Sequence, residues 1–356
     1  MKTIVFTGGG SAGHVTPNLA LMHKLKQQGW DVKYIGSATG IEKEIIDREG
    51  VPFYPISSGK LRRYFDLKNI KDPFKVMKGV YESYRLLKRL KPAIVFSKGG
   101  FVSVPVVLGS RMNNIPVIIH ESDMTPGLAN KISIPFATKV CVTFPESLSH
   151  IKGGKSVLTG LPIREHMNSG KASRALQLCE FHSQKPVILV MGGSLGSHVL
   201  NQAVRSNLAR LLQQFQIVHL CGKGNVSTEH LSTRGYKQFE YLNEELPDVL
   251  AMTDLVISRA GATSIFEFLG LEKPMLLIPL SLQASRGDQI LNAASFQKAG
   301  YADVIQEEDL TADGLADHVE ALYKNRETYK AAMQSRNESD AVAAIVKLIE
   351  AHSKSL

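Results

Sequence analysis

Glu267 supplies a carboxylate, and Gln289 and Asn292 supply two carboxamides three residues apart, all within the stretch from Asp254 to Asn292. A carboxylate accepts hydrogen bonds from a ribose diol, and carboxamides suit sugar hydroxyls. The elements that must position them read as follows. Residues 255–258 form a short apolar strand, 259–261 turn it, and Thr263 and Ser264 cap the helix that follows. A second strand over 275–279 leads into another helix near Asp288, where Gln289 and Asn292 share a face. Two strand-to-helix junctions at one edge of a parallel sheet present free N–H groups and positive dipole ends, which suit a diphosphate. Each residue alone fits a solvated face. As a set at strand C-terminal ends, where open α/β sheets bind ligands, they describe a nucleotide-sugar pocket.

The first half offers different chemistry. A buried-type strand over 3–6 runs into Gly8-Gly9-Gly10-Ser11-Ala12-Gly13-His14 and then a helix. The glycines at 8, 10 and 13 match a dinucleotide fingerprint. The next strand, however, ends in Gly36-Ser37, with no acidic residue for an adenosine ribose, so no nicotinamide or flavin cofactor is expected. The glycines still permit close approach to a phosphate. His14, at the helix start, is either a cap or a neutral base. Two further strand ends carry polar loops, Ser97-Lys98-Gly99-Gly100 and His120-Glu121-Ser122-Asp123. Tight packing and a satisfied hydrogen bond are the plain readings of these loops, and three in succession favour a site. Arg164, in Gly160-Leu161-Pro162-Ile163-Arg164, pairs with either a phosphate or a surface carboxylate.

A strand over 187–191 then restarts the pattern with Gly192-Gly193-Ser194-Leu195-Gly196 and a helix. Setting Gly9 on Gly192 aligns Gly10 with Gly193, Ser11 with Ser194, Gly13 with Gly196 and Asn18 with Asn201. This internal repeat predicts an α/β protein of two Rossmann-like domains facing across a cleft. The same loop satisfies the G-x-S-x-G elbow of a serine hydrolase. No Asp and His stand out as triad partners, and the similar first loop needs no nucleophile. No Asp-x-Asp pair and no His/Cys cluster has metal-ligand spacing, so no metal is expected.

The chain of 356 residues, 44% hydrophobic, has room for two ordinary domains. Its three separated cysteines fit reduced thiols. No secretory-type segment precedes the first strand and no apolar run approaches a membrane span, so a cytosolic or surface-bound protein is expected. The net charge of +9 is concentrated between Lys60 and Lys91, where eleven basic residues face three acidic ones. Leu61, Tyr64, Phe65 and Phe74 are interleaved with Arg62, Arg63, Lys75 and Lys78. That mixture suits an anionic membrane surface or a nucleic acid, and equally a solvated helix face. No RNA- or DNA-binding module is recognisable, so no nucleic-acid partner is expected.

Gly-Gly-Gly-Ser-Ala-Gly-His, His-Glu-Ser-Asp, Gly-Leu-Pro-Ile-Arg, Gly-Gly-Ser-Leu-Gly and Ser-Arg-Ala-Gly-Ala-Thr, with Glu267 and Asp288-Gln289, together resemble the MurG family. These are N-acetylglucosaminyltransferases acting on undecaprenyl-diphospho-muramoylpentapeptide. The resemblance covers almost the whole chain in order, and Ser-Gly-Lys-Leu-Arg-Arg-Tyr-Phe from Ser58 is similar to the membrane-side loop of Gram-positive members. It implies a GT-B glycosyltransferase fold. The N-terminal domain over 1–162 would take acceptor and membrane, and the domain over 163–336 would take UDP-N-acetylglucosamine. A terminal helix over 337–356 would return to the first domain.

The resemblance also implies site roles. Donor contacts would come from Ser11, Ala12, Gly13, Arg164, Gly193, Ser194, Thr263, Glu267, Gln289 and Asn292. Acceptor contacts would come from Gly9, Gly10, Lys98, Gly99, Gly100, His120 and Glu121. His14 or Asp123 would be the general base, and Asp123 departs from the family's usual Asn. Implied partners are undecaprenyl-diphospho-MurNAc-pentapeptide, anionic inner-leaflet lipids, and cell-wall synthesis and division proteins, with the enzyme peripheral on the cytoplasmic side of the membrane. UDP-N-acetylglucosamine would be a substrate, and no cofactor is implied. A diacylglycerol-dependent glycolipid synthase and a UDP-sugar epimerase are the competing activities.

Overall fold

The computed structural model describes residues 1–59, 72–193, 196–311, 314–336 and 340–354. The expected membrane residues Leu61, Arg62, Arg63, Tyr64 and Phe65, and the donor residue Ser194, lie outside that set. The chain divides into two compact units, Met1–Arg164 with Glu338–Leu356, and Glu165–Asn337.

The first unit alternates strands and helices: β1 (Thr3–Thr7), α1 (Thr16–Gln27), β2 (Asp31–Ser37), α2 (Ile41–Arg48), β3 (Phe53–Ile56) and α3 (Asp72–Leu90). There follow β4 (Ile94–Ser97), α4 (Ser103–Met112), β5 (Val117–Glu121), α5 (Leu128–Ser133), β6 (Lys139–Val142) and β7 (Ser156–Leu158). The second unit contains α6 (Ala172–Cys179), β8 (Val187–Met191), α7 (His198–Ser206), α8 (Leu208–Gln214), β9 (Gln216–Leu220), β10 (Tyr236–Phe239) and α9 (Leu246–Met252). It continues with β11 (Leu255–Ser258), α10 (Ala262–Gly270), β12 (Met275–Leu277), α11 (Asp288–Lys298), β13 (Ala302–Val304), α12 (Gly314–Lys324) and α13 (Arg326–Gln334). The last helix, α14 (Ala341–His352), belongs to the first unit.

Both sheets are parallel, in the orders β3-β2-β1-β4-β5-β6-β7 and β10-β9-β8-β11-β12-β13. A strand buried on both faces needs an unbroken apolar run rather than an alternating one. Ile94–Ser97 and Leu255–Ser258 are buried throughout for that reason. In each unit the strand order reverses direction once, between β1 and β4 and between β8 and β11. Connections diverge to opposite faces at such a point and leave a crevice at the strand C-termini.

Helices cover both faces of the first sheet. One core joins Leu21, Leu25 and Trp30 to Ile345, Val346 and Ile349 of α14, so the chain's last helix completes that layer. Its start is set by Asp340, whose carboxylate accepts from the Ala343 N–H at 3.0 Å. Each fully buried Ile or Leu in such a layer contributes about 1.5–3 kcal/mol. The opposite core joins Val102, Val106 and Val107 to Val95 and Ile119.

The sequence repeat has a structural counterpart. Asn18 on α1 donates to the Tyr34 hydroxyl of β2 at 3.3 Å, and Asn201 on α7 faces His219 of β9 at 2.9 Å. In both units a buried amide on the helix after the central strand β1 or β8 ties it to a polar side chain of the neighbouring strand.

Candidate active site

The reversal point of the second unit gathers three strand-to-helix loops, because Met191, Ser258 and Leu277 stand level at the ends of β8, β11 and β12. Helix α10 starts at Gly261, which has no side chain to cap it, and α11 starts at Gly287 in the left-handed region, φ 81°. Thr263 and Ser264, expected as caps, instead lie inside the first turn of α10. The helix thus begins two residues before Thr263 could cap it, and Gly261 takes the N-cap. Glu267 lies in the body of α10, 7% exposed. Gln289 is half-buried, and its amide oxygen accepts from the Leu280 N–H at 3.2 Å. Gly193 follows β8 with φ 91°.

Asn292 is fully buried and donates to the Ala260 carbonyl at 3.2 Å, so it braces the β11 loop against α11. Sequence reasoning missed Arg259. Its guanidinium is 7% exposed and donates to the carbonyls of Ile278 and Pro279 and to the Ser197 hydroxyl, and it pairs with Glu307. A cation at a strand end was the available signal, and it had been read as part of a turn.

The first unit gathers the β1, β4 and β5 loops in the same way. Gly9 donates its N–H to the Gly99 carbonyl at 3.3 Å, and Gly100, with φ 83°, packs against the Gly9 backbone with no room for a Cβ. Gly10 donates to Glu42 at 3.2 Å. The amides of Gly9 and Gly10 are therefore engaged within the fold. Gly99 donates to the Ser97 hydroxyl at 3.4 Å.

His14 sits in a short 3-10 turn, Ala12–His14, with Ser11 before it, two residues ahead of α1. It caps no helix amide here. Its Nδ1 lies 3.1 Å from the Gly9 carbonyl and 3.1 Å from the Ser11 hydroxyl. A carbonyl can only accept, so in the neutral ring the Gly9 contact calls for the proton on Nδ1 and leaves the lone pair on Nε2.

Three polar residues expected on the acceptor turn inward in this structure. His120 is fully buried, donates from Nε2 to the Gly160 carbonyl at 2.9 Å, and is held neutral because burial drives its pKa well below the usual range. Glu121 accepts from the amides of Asp123 at 3.1 Å and Gly127 at 3.0 Å and from the Asn130 side chain at 2.8 Å. Lys98, 1% exposed, donates to the Ser122 hydroxyl. Burial pulls its ammonium down to about 8, opposed by the charges of Glu121 and Asp123. These groups shape the loop that presents Asp123, which is itself half-buried. Arg164 is the last residue of the first unit.

The glycosyltransferase family 28 N-terminal domain matches residues 4–142, and the family 28 C-terminal domain matches residues 187–349. A UDP-N-acetylglucosamine--N-acetylmuramyl-(pentapeptide) pyrophosphoryl-undecaprenol N-acetylglucosamine transferase of Geobacillus thermodenitrificans is 59% identical over 98% of both chains. The chain belongs to the MurG family. A transferase of the same name from Clostridium botulinum is 57% identical over 99% of this chain and 100% of its own. The crystal structure of Acinetobacter baumannii MurG superposes with a TM-score of 0.77 at 26% identity, covering 99% of this chain and 100% of that one. The fold is accordingly that of the GT-B glycosyltransferases, α/β with two parallel sheets. In this MurG-family chain no helix among the described residues is long and apolar enough to cross a membrane.

Proposed function

We propose that the protein transfers N-acetylglucosamine from UDP-N-acetylglucosamine to the 4-hydroxyl of N-acetylmuramoyl-pentapeptide on undecaprenyl diphosphate, with inversion. The observation that carries this reading is the 59% identity, end to end, to a transferase named for that reaction. The second unit holds the donor. The N–H groups opening α7, α10 and α11 face its diphosphate, Glu267 takes the ribose hydroxyls and Gln289 takes the sugar. The acceptor oxygen forms a bond to the anomeric carbon as the bond to UDP breaks, and the proton passes to a base on the first unit. His14 Nε2 or the Asp123 carboxylate is that base. Charge growing on UDP is met by backbone N–H groups already in place. The displacement balances with no redox partner, and UDP-N-acetylglucosamine is consumed as a substrate.

The acceptor's lipid stays in a bilayer, and α3 supports docking there from the cytoplasmic side. Phe74, Met77 and Tyr81 are 72%, 69% and 59% exposed along one stripe, and Lys75 and Lys78 are exposed beside them. Exposed aromatic and basic residues on one helix suit an anionic interface. One labelled donor offered to a short-chain polyprenyl-diphospho-muramoylpentapeptide and to diacylglycerol tests the reading. Label should reach the muramoyl acceptor only. Label on diacylglycerol, or donor epimerised with no acceptor present, would overturn it.

A further inference from the structure

Glu42, on α2, is 1% exposed, yet among the described residues every hydrogen bond it accepts comes from a neutral donor. Its Oε2 accepts from the Gly10 N–H at 3.2 Å, and its Oε1 accepts from the Ser37 N–H at 3.0 Å and the Ser37 hydroxyl at 2.6 Å. Gly9 and Gly40 leave the room this carboxylate fills, since a Cβ at either position would meet it. A buried carboxylate is costly unless its lone pairs are satisfied. This one lies where a glycine loop at a sheet's reversal point would otherwise take an anionic ligand. The loop it holds continues to His14, because the carbonyl of Gly9, next to the Gly10 amide, faces His14 Nδ1 at 3.1 Å.

We propose that Glu42 is a positioning residue for His14: standing in for a bound anion, it fixes the Gly9–Gly10 peptide so that the Gly9 carbonyl keeps the proton of His14 on Nδ1 and the lone pair on Nε2. The sequence hides this link, because Glu42 lies five residues past the end of β2, in the first turn of α2, rather than at the strand end itself. The inference rests on His14 serving as the base. In Glu42→Gln the side-chain NH₂ must face either the Gly10 or the Ser37 N–H, donor against donor, so the loop loses one of its anchors. Ser37→Ala removes the hydroxyl donor and loosens the same carboxylate more gently.

The test uses the full chain with ¹⁵N-labelled histidine, the His14 ring signals being assigned by their loss in His14→Asn. The wild type should show the Nδ1–H tautomer. Glu42→Gln should shift the ratio toward Nε2–H and lower kcat about ten-fold, part of the roughly 10²–10⁴-fold a positioned base contributes, with donor KM within about two-fold. Ser37→Ala should move both readouts less, in the same direction, and decides the matter if Glu42→Gln does not fold. An unchanged tautomer ratio in the folded variants overturns the inference. If His14→Asn turns over normally, the base assignment falls separately, and the tautomer ratio alone then decides whether Glu42 sets the ring.

Discussion

Arg259 donates from Nη2 to the hydroxyl of Ser197 at 2.6 Å, joining the end of β11 to the start of α7. The same hydroxyl accepts from the Leu200 N–H at 3.3 Å and so caps α7. Nη1 reaches the carbonyls of Ile278 at 3.0 Å and Pro279 at 3.2 Å. One guanidinium thus sets the spacing of the three loops assigned to the donor diphosphate. A lysine has no fork to span them. Arg259→Lys should weaken UDP-N-acetylglucosamine binding about ten-fold, about 1.4 kcal/mol, in calorimetry. Arg259→Leu also leaves the Glu307 carboxylate without its partner and should cost about 3–5 kcal/mol in denaturant unfolding.

Glu121 organises the opposite site in a comparable way. Three N–H donors, from Asp123, Gly127 and Asn130, converge on its two oxygens. Glu121→Ala leaves the Asp123 and Gly127 amides without this acceptor and the Asn130 amide with only the His120 carbonyl, at about 1–3 kcal/mol for each donor that stays buried. With Asp123 as the base, steady-state kinetics should show kcat falling by at least about ten-fold and donor KM nearly unchanged, whereas an unchanged kcat leaves that role to His14. Equal losses in donor binding would mean the loop serves the donor instead.

His219 predicts an acid weakness in the second unit. It is buried, with Nδ1 2.7 Å from the Tyr236 hydroxyl and Nε2 2.9 Å from Asn201. Burial, with the Arg205 charge, pulls its pKa from 6.5 to about 3. The unfolded chain therefore binds a proton below pH 6.5 that the folded chain refuses until about pH 3. Stability from this group is complete above pH 6.5 and is lost as pH falls, at up to about 1.4 kcal/mol per unit. Urea unfolding between pH 7 and 4 should show that slope, and His219→Gln should flatten it by one proton.

Helix α3 should govern membrane attachment. Replacing Phe74, Met77 and Tyr81 together with serine removes large, exposed apolar area without touching a core. Co-sedimentation with anionic vesicles should drop by at least about ten-fold, since each apolar side chain buried in the interface contributes about 1.5–3 kcal/mol. Turnover of a water-soluble acceptor analogue should stay near wild type. Unchanged sedimentation would move the attachment surface elsewhere.

The backbone was largely legible in the sequence, and side-chain direction was not. Apolar runs such as 187–191 and 255–258 have few ways to be buried except as parallel strands, and the glycines after them punctuate the turns. The repeat of Asn18 and Asn201 carried over into matching buried contacts. What failed was the inference from polarity to exposure. His120, Glu121, Lys98 and Asn292 are the residue types a site uses, and each is turned inward to hold a loop. Strand ends need such braces because their loops leave backbone groups to satisfy. Arg259 and Glu42 hold comparable loops, and their partners lie far off in sequence, Ser197 and Glu307 for one and Gly10 for the other. Spacing along the chain cannot reveal such pairs.

Isothermal titration of UDP-N-acetylglucosamine into the folded full-length chain, beside Glu267→Ala, tests the donor assignment most directly. One molecule should bind per chain, with affinity at least about ten-fold weaker in Glu267→Ala, the loss of a charge-assisted hydrogen bond to the ribose. No heat of binding to the intact wild type, or equal affinity in the two proteins, would contradict a nucleotide sugar held at the ends of β8, β11 and β12.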